Sequence, residues 1–311
     1  MPSQVLCSGL KLKKNRYVVG HKLGAGKFGE VFKGYDKTKK MEVAVKAVAE
    51  VNLANGREEE SAIGEARVLQ MLTKCKGVPL LFDYFSYKNH NILVMELFKV
   101  DFNFLLKNHP EKSFSKQTLL LFGYHLVKTI RRIHECGILH RDLKPGNVFL
   151  PFHQTNTLKL AIADFGMGVK FETGGTEHPG MRIRVPSKDY GFSGSPYHSL
   201  GMAKGRAAQE SDDLEMLAVM LMFCRGIRPF VGTPEEMTAK KEEMHRDPGS
   251  VVTGRNKWMR KIVELLINQP YKSTPDYEEI LDEIAIHSKI PMNRDFELVQ
   301  KPDGTSYLKD F

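Results

Sequence analysis

The chain divides by the rhythm of its apolar positions. Up to about residue 98 these form short alternating or β-branched runs with one helical stretch; beyond it they recur mainly at helical spacing. Tyr17–Leu23 alternates and enters Gly24-Ala-Gly26-Lys27-Phe28-Gly29, after which Glu30-Val31-Phe-Lys-Gly34 continues as strand. Met41–Lys46 is the next strand. Residues 57–73 set Ile63, Ala66, Val68, Leu69 and Leu72 on one helical face, and Val78–Tyr87 and His90–Phe98 read as two more strands. These elements predict a small antiparallel sheet with one main helix. Ser115–Glu135 then carries Leu119, Leu120, Phe122, Leu126, Ile130 and Ile133 at helical intervals, with Ser115 as N-cap and Gly137 as the stop. Asn147–Phe152 and Leu158–Ala163 are two short strand-like runs, and residues 1–16, polar and basic, read as a loosely held lead-in. The predicted class is α+β, with a sheet-rich small lobe and a larger, mainly helical one.

Composition narrows the class without naming a chemistry. A length of 311 residues is enough for two lobes with cores of their own. The longest near-continuous apolar run, Met216–Cys224, is too short to span a bilayer. The N-terminus lacks the charged and apolar regions of a signal peptide and the glycine needed for myristoylation, and the tail is no prenylation box. No membrane segment is therefore expected. Cys7, Cys75, Cys136 and Cys224 are scattered with no C-x-x-C pair, which predicts free thiols in a reducing compartment, cytoplasmic or nuclear. The net charge of +9 reads first as a basic face on a soluble domain and next as attraction for acidic or phosphorylated partners. No zinc-finger, homeodomain or RNA-recognition signature accompanies it, so no dedicated nucleic-acid motif is present.

The candidate chemistry is concentrated between His140 and Gly166. Asp142 falls in a loop after the long helix, and Asp164 directly follows the second strand-like run, 22 residues later. That order brings two carboxylates, the Asn147 amide and the Lys144 ammonium to the ends of neighbouring strands. Phosphoryl transfer needs such a set: a carboxylate to accept a hydroxyl proton, oxygen ligands for magnesium ions, and a cation beside the base. The glycines at 24, 26 and 29 suit a strand-turn-strand whose backbone covers phosphates.

The string H-R-D-L-K-P-G-N followed by D-F-G resembles the catalytic and metal loops of protein kinases. Val43-Ala-Val-Lys46 is similar to the kinase lysine strand. Tyr197-His-Ser-Leu200, the double-aspartate helix start Ser211-Asp212-Asp213 and Thr274-Pro-Asp-Tyr-Glu-Glu-Ile-Leu281 narrow the match. They look like the casein kinase 1 superfamily, which includes the tau-tubulin and vaccinia-related kinases.

The resemblance implies a serine/threonine kinase using ATP and Mg2+ and acting on protein substrates, with a monomer as the expected state. It implies a kinase domain over 17–295, with the small lobe at about 17–95, the hinge at about 96–99 and the large lobe at about 100–295. Residues 1–16 are then a lead-in and 296–311 a short C-terminal extension. Asp142 matches the catalytic base, Lys144 the phosphate-neutralising lysine, and Asn147 and Asp164 the magnesium ligands. Lys46 and Glu65 match the positioning ion pair, with Glu58, Glu59 and Glu60 as competitors for the acid. The nucleotide would be held by Leu23, Gly24, Ala25, Gly26, Lys27, Phe28, Gly29, Val31, Ala44, Lys46, Met95, Glu96, Leu97 and Asn147. Within that set Val31 packs on the adenine face, Met95 gates the pocket behind it, and the Glu96–Leu97 backbone bonds the adenine edge. Asp213 matches the buried carboxylate that holds the catalytic loop by its backbone.

Two departures from the family bear on substrates. The turn Arg228-Pro-Phe-Val-Gly-Thr-Pro234 has a proline where the family places a lysine for phosphorylated substrates. Arg228, with Arg182, Arg184 and Lys188 of the long Met167–Gly194 segment, remains a candidate substrate anion site; an exposed basic loop is the competing reading of the last three. Ala-Pro-Glu is missing after that segment, and by family analogy the enzyme is active without loop phosphorylation. The rival function is a nucleotide-binding pseudokinase scaffold, which the presence of Lys46, Glu65, Asp142, Asn147 and Asp164 argues against.

Overall fold

Alternation in the first hundred residues produces a six-stranded, wholly antiparallel sheet. The computed structural model describes residues 6–26, 29–50, 62–155, 159–171, 195–270 and 273–311. Strands β1 (Lys11–Leu12), β2 (Tyr17–Gly26), β3 (Gly29–Asp36) and β4 (Met41–Ala49) follow one another in the chain. Helix α1 (Ala62–Met71) precedes β5 (Leu81–Tyr87) and β6 (His90–Met95), and the sheet order is β1-β2-β3-β4-β6-β5. The two later strands are shorter than expected because Val78–Leu80 and Glu96–Phe98 leave the ladder at one end. Tyr17, Val19, Phe32, Val43, Val45, Ile92 and Val94 pack one face into a small core of their own.

Residues 6–16 differ from the expected loose lead-in. Leu6 and Leu12 are fully buried in that small core, and β1 adds a strand to the edge of the sheet. Two apolar side chains and two rungs of pairing are too little signal to stand out in a polar, basic stretch.

The second half is helical, as its periodicity predicts. Strand β7 (Val100–Asp101) leads into α2 (Phe102–Asn108) and α3 (Lys116–Glu135); Ser115 caps α3 by accepting from the Thr118 amide. Beyond α3 come β8 (Ile138–Leu139), β9 (Val148–Leu150), β10 (Ala161–Ile162) and β11 (Val169–Lys170), with β9 between β10 and β7 and β11 beside β8. The short α4 (Leu200–Ala203) precedes α5 (Glu210–Cys224), α6 (Pro234–Arg246), α7 (Arg260–Ile267) and α8 (Tyr277–Ile286). Helix α5 is buried nearly all round, as its unbroken apolar run requires, and forms the centre of this lobe. Each fully buried Leu, Met or Phe around it contributes roughly 1.5–3 kcal/mol of hydrophobic stabilisation.

The last sixteen residues, expected as an extension, pack against the lobe. Strands β12 (Leu298–Gln300) and β13 (Ser306–Leu308) form a hairpin, and Phe296 meets Phe102 edge-on at 5.8 Å. The Asp310 carboxylate accepts from the Ser115 amide at 2.7 Å and the Thr118 hydroxyl at 2.8 Å, adding a second cap to α3.

Candidate active site

The loop from β8 to β9 is fixed from beneath by α5. Both carboxylate oxygens of Asp213 accept backbone amides, from His140 and Arg141, each at 2.8 Å. The His134 ring Nε2 also bonds Asp213, at 2.9 Å, and Nδ1 of the same ring meets the Tyr277 hydroxyl at 2.5 Å. Burial alone would raise the Asp213 pKa, but the His134 bond and the amides hold it below the usual carboxylate range. This grip holds Arg141 at φ 66°, a left-handed conformation uncommon for a side chain of that size. The Arg141 guanidinium is buried and donates to the Met167 carbonyl at 2.6 Å.

His140 joins the two motif loops. Its Nδ1 accepts from the Asp142 amide at 3.2 Å, so its Nε2 carries the proton and donates to the Ala163 carbonyl at 3.1 Å. The Ala163 amide in turn donates to the Asn147 carbonyl at 2.9 Å, extending the β9–β10 pairing. These contacts bring Asp164 next to the Asp142 loop.

The Asp142 carboxylate is bonded by Lys144 Nζ at 2.6 Å and by Asn147 Nδ2 at 3.1 Å; the same Nδ2 donates to the Asp142 carbonyl at 2.8 Å. With its nitrogen so committed, Asn147 turns out an amide oxygen that takes no hydrogen bond among the described residues. Asp164, at φ 63°, gives Oδ1 to Lys46 at 2.7 Å and keeps Oδ2. Two such oxygens fit Mg2+, which takes one or two protein oxygens and completes its octahedron with phosphate and water.

Lys46 lies on β4 and reaches both Asp164 and Glu65 Oε2 of α1, each at 2.7 Å. Burial lowers its pKa, but the two carboxylates outweigh that and hold the ammonium above its ordinary value. The same ammonium holds Asp164 below its own value against the effect of burial. Glu65 is therefore the acid brought to Lys46; Glu58, Glu59 and Glu60 lie outside the described residues.

Across the sheet Gly24 is registered with Val31, and Val31 with Lys46, so the glycine hairpin lies two strands from the ammonium. Gly29 has φ 124°, and a Cβ there would fall 2.2 Å from the Ala47 carbonyl oxygen. At Gly24 and Gly26 a Cβ would meet nothing within 4 Å among the described residues. Ala44 pairs with Met95, both buried, and Leu23 is exposed. Lys27 and Phe28 lie outside the described residues. One donor of the Glu96–Leu97 backbone is committed within the fold. The Glu96 amide is already given to the Leu80 carbonyl at 2.9 Å, so only its carbonyl and the amides that follow are left for a ligand.

The expected anion cluster is only partly visible. Arg182, Arg184 and Lys188 lie outside the described residues. Arg228 is exposed, with its guanidinium 4.5 Å from the centre of the Phe223 ring. Pro234 starts α6 behind the Thr233 cap, and Glu235 and Glu236 occupy that first turn, so acids rather than a cation face outward there.

Sequence motifs marked Tyr277 and Asp212 but not what they hold, and His134 and Glu215 were not singled out at all. Tyr277 and His134 form the buried chain beneath Asp213; the signal for His134 was its place beside Ile133 on the apolar face of α3. Asp212, next to Asp213, takes the Ser199 hydroxyl at 2.6 Å, Arg206 at 2.7 Å and the Gln209 amide at 2.7 Å, and so ties down residues 199–209. Glu215 does the same for the Leu200 amide at 2.8 Å.

Comparison with known proteins places the chain in a family. The protein kinase domain family matches residues 17–191, more than half of the chain. Casein kinase I homolog 1 of Schizosaccharomyces pombe is 28% identical over 272 residues, which cover 84% of this chain and 58% of that relative. The chain thus spans just under three fifths of that protein's length. A "Probable casein kinase I homolog" of Encephalitozoon cuniculi is 32% identical over 228 residues, 73% of this chain and 68% of the relative. Among solved structures, vaccinia related kinase 3 superposes with a TM-score of 0.70 over 92% of this chain and 91% of that one, at 15% identity, which speaks to the fold. The chain belongs to the protein kinase family, in the casein kinase 1 superfamily of serine/threonine kinases.

Proposed function

We propose that this chain transfers the γ-phosphoryl group of ATP to serine or threonine hydroxyls of protein substrates. The observation that carries the reading is the convergence of Asp142, Lys144, Asn147, Asp164 and Lys46, in which Lys144 and Asn147 bond the Asp142 carboxylate and Lys46 bonds Asp164. Asp142 would accept the substrate hydroxyl proton on its carboxylate, and Lys144, 2.6 Å away, would place positive charge beside the incoming oxygen. Lys46, held by Glu65, would orient phosphate oxygens under the Gly24–Gly26 backbone. The Glu96 carbonyl and the amides after it would meet the adenine edge. Magnesium, held by Asn147 Oδ1 and Asp164, would supply neutralising charge to the phosphates when bound. Positioning and fixed charge do most of this work.

Acidic or phosphorylated proteins are the proposed substrates, on the strength of the +9 net charge and exposed Arg228. The four free cysteines support a cytoplasmic or nuclear setting. Among the described residues no helix is long and apolar enough to cross a membrane.

The test is phosphate transfer from γ-labelled Mg-ATP to an acidic protein, with Asp142→Asn and Asp164→Asn in parallel. Asp142→Asn is expected to lower turnover by roughly 10²–10⁴-fold, the scale of a general base. Nucleotide binding without transfer by the unaltered chain would instead favour a scaffold. A matched peptide pair, one carrying phosphoserine three residues before the target serine, measures whether the Pro234 turn still serves primed substrates.

A further inference from the structure

The small lobe ends, on the side away from the glycine hairpin, in two lysine-bearing turns. Tyr17 of β2 is registered with Asp36 of β3, and Asp36 with Met41 of β4, so the β1–β2 and β3–β4 turns lie side by side. The first holds Lys13, Lys14 and Arg16, the second Lys37, Lys39 and Lys40; all but the partly buried Arg16 are exposed. Hydrogen bonds lock the turns together. The Lys37 amide donates to the Arg16 carbonyl at 3.0 Å, and the Arg16 guanidinium forks onto buried Asp36 at 2.8 Å and 3.1 Å. Asp36 also accepts the Thr38 amide at 2.9 Å. The sheet curls so far that Asp83 of β5, its other edge, accepts from Lys13 at 2.5 Å and from the Tyr17 hydroxyl at 2.8 Å. Lys39 lies 4.2 Å from the centre of the adjacent Phe82 ring. Six cations thus stand against two carboxylates, and both carboxylates are spent on these bonds. The next acid along β4, Glu42, is paired with Lys33 at 2.6 Å. Lys14, Lys37 and Lys40 take no side-chain partner among the described residues. Lys13, Lys14 and Lys40 have φ of 44°, 50° and 54°, the left-handed region that asparagine and glycine occupy at less cost. Folding alone therefore disfavours lysine at three of these places, and charge is what lysine brings to them.

We propose that this end of the small lobe docks an acidic, extended segment of a protein substrate, apart from the phosphate cleft. The inference rests on the reading of the chain as a protein kinase. Charge complementarity selects the partner. The two turns are about 10 Å apart, two strand spacings, so carboxylates three residues apart along an extended chain reach both. A nucleic acid fits less well. Neither turn carries an aromatic side chain on which a base can stack, and the one guanidinium is committed to Asp36. Met41 and Lys46 are five residues apart on β4, roughly 17 Å, so the docked segment and the reacting hydroxyl are joined by a linker. Docking raises the local concentration of the hydroxyl at the cleft and leaves the chemical step unchanged.

The experiment compares two peptides with the same phosphoacceptor sequence. One is extended by a Gly/Ser linker of roughly 20 residues, spanning about 25 Å, and a tail of about eight glutamates. At low salt the tailed peptide should show a KM roughly tenfold lower at unchanged kcat, and the gap should close at about 0.5 M salt. A triple variant, Lys14→Asn, Lys37→Gln and Lys40→Asn, removes three charges. Asparagine suits the left-handed turns, so the variant should melt no lower than the parent. It should handle the tailless peptide as the parent does and lose the advantage of the tail. Fluorescence anisotropy of the labelled tail, without ATP, should report the same loss of affinity. If the parent transfers no phosphate at all, the kinase reading fails, and the anisotropy still decides whether the acidic tail docks on these lysines. Equal KM for the two peptides in an active parent, or a tail advantage that the variant keeps, would overturn the proposal. So would tighter binding of an oligothymidylate of equal charge, lost in the variant, which would mark a nucleic-acid surface instead.

Discussion

Asp212 and Asp213 are neighbours in the first turn of α5, both buried, and they serve different segments packed against that helix. Asp213 faces the catalytic loop and accepts two backbone amides and His134; its pKa is held below the usual range. Asp212 faces residues 199–209, where burial pushes it up to about 6 against the pull of Arg206, Ser199 and the Gln209 amide. The difference shows that burial does not decide a carboxylate's charge by itself. Asp213 combines both backbone amides of the loop with an imidazole. Asp212 depends mainly on Arg206, which is a third exposed and shares its charge with water, and Glu215 lies nearby. The side next to the proposed chemistry is thus the more firmly anchored.

The largest test of this contrast is Asp213→Ala. It strands two buried amides and His134, so urea unfolding should show a loss of about 3–5 kcal/mol. Phosphate transfer should collapse with it; retained turnover would mean that the loop holds its own shape. Asp212→Ala should cost less, about 1–3 kcal/mol, because Arg206 can hydrate. Its effect on turnover should be smaller than that of Asp213→Ala, since Asp213 and not Asp212 accepts the His140 and Arg141 amides of the loop that carries Asp142. Tyr277→Phe removes one hydrogen bond to His134 and should cost about 0.5–1.5 kcal/mol, read from the shift in the urea midpoint.

The smallest effect is a difference of sign with pH. Asp212 has a folded pKa near 6 against an ordinary 3.8, so the folded state binds the extra proton between those values. Its contribution to stability is present below about 3.8 and is lost as pH rises through 6. Asp213 is depressed, so its contribution is present above the ordinary value and is lost as pH falls through its lower folded one. Comparing unfolding at pH 7 and pH 5 for the parent and Asp212→Asn isolates the first. The parent should show a gain on acidification that the variant lacks; an identical slope in both would refute the assignment.

Much of this arrangement was legible in the sequence because it is carried by fixed spacing. Lys46 on a strand, Glu65 on a helical face, and Asp142, Asn147 and Asp164 around two short strands all occupy positions set by local structure. The α+β, two-lobed class followed from the same periodicities. What was not legible depends on partners distant in the chain. Asp310 caps a helix almost two hundred residues earlier, Tyr277 supports His134 across the lobe, and Leu6 reaches a core built by β2 to β6. Nor did the sequence reveal that the Glu96 amide is taken by the Leu80 carbonyl, which comes from a segment expected to lie inside the preceding strand.

The three glycines of the hairpin meet different steric demands. Any side chain at Gly29 collides with the Ala47 carbonyl and demands a backbone angle that other residues resist, so substitution there should lower cellular abundance. At Gly24 and Gly26 a Cβ would meet nothing within 4 Å among the described residues, so alanine at either place should leave the folded chain intact. A mutational scan scored once for protein level and once for growth dependent on the enzyme would therefore split a motif that alignment treats as one. Gly29 would then prove necessary for folding, and Gly24 and Gly26 for activity alone.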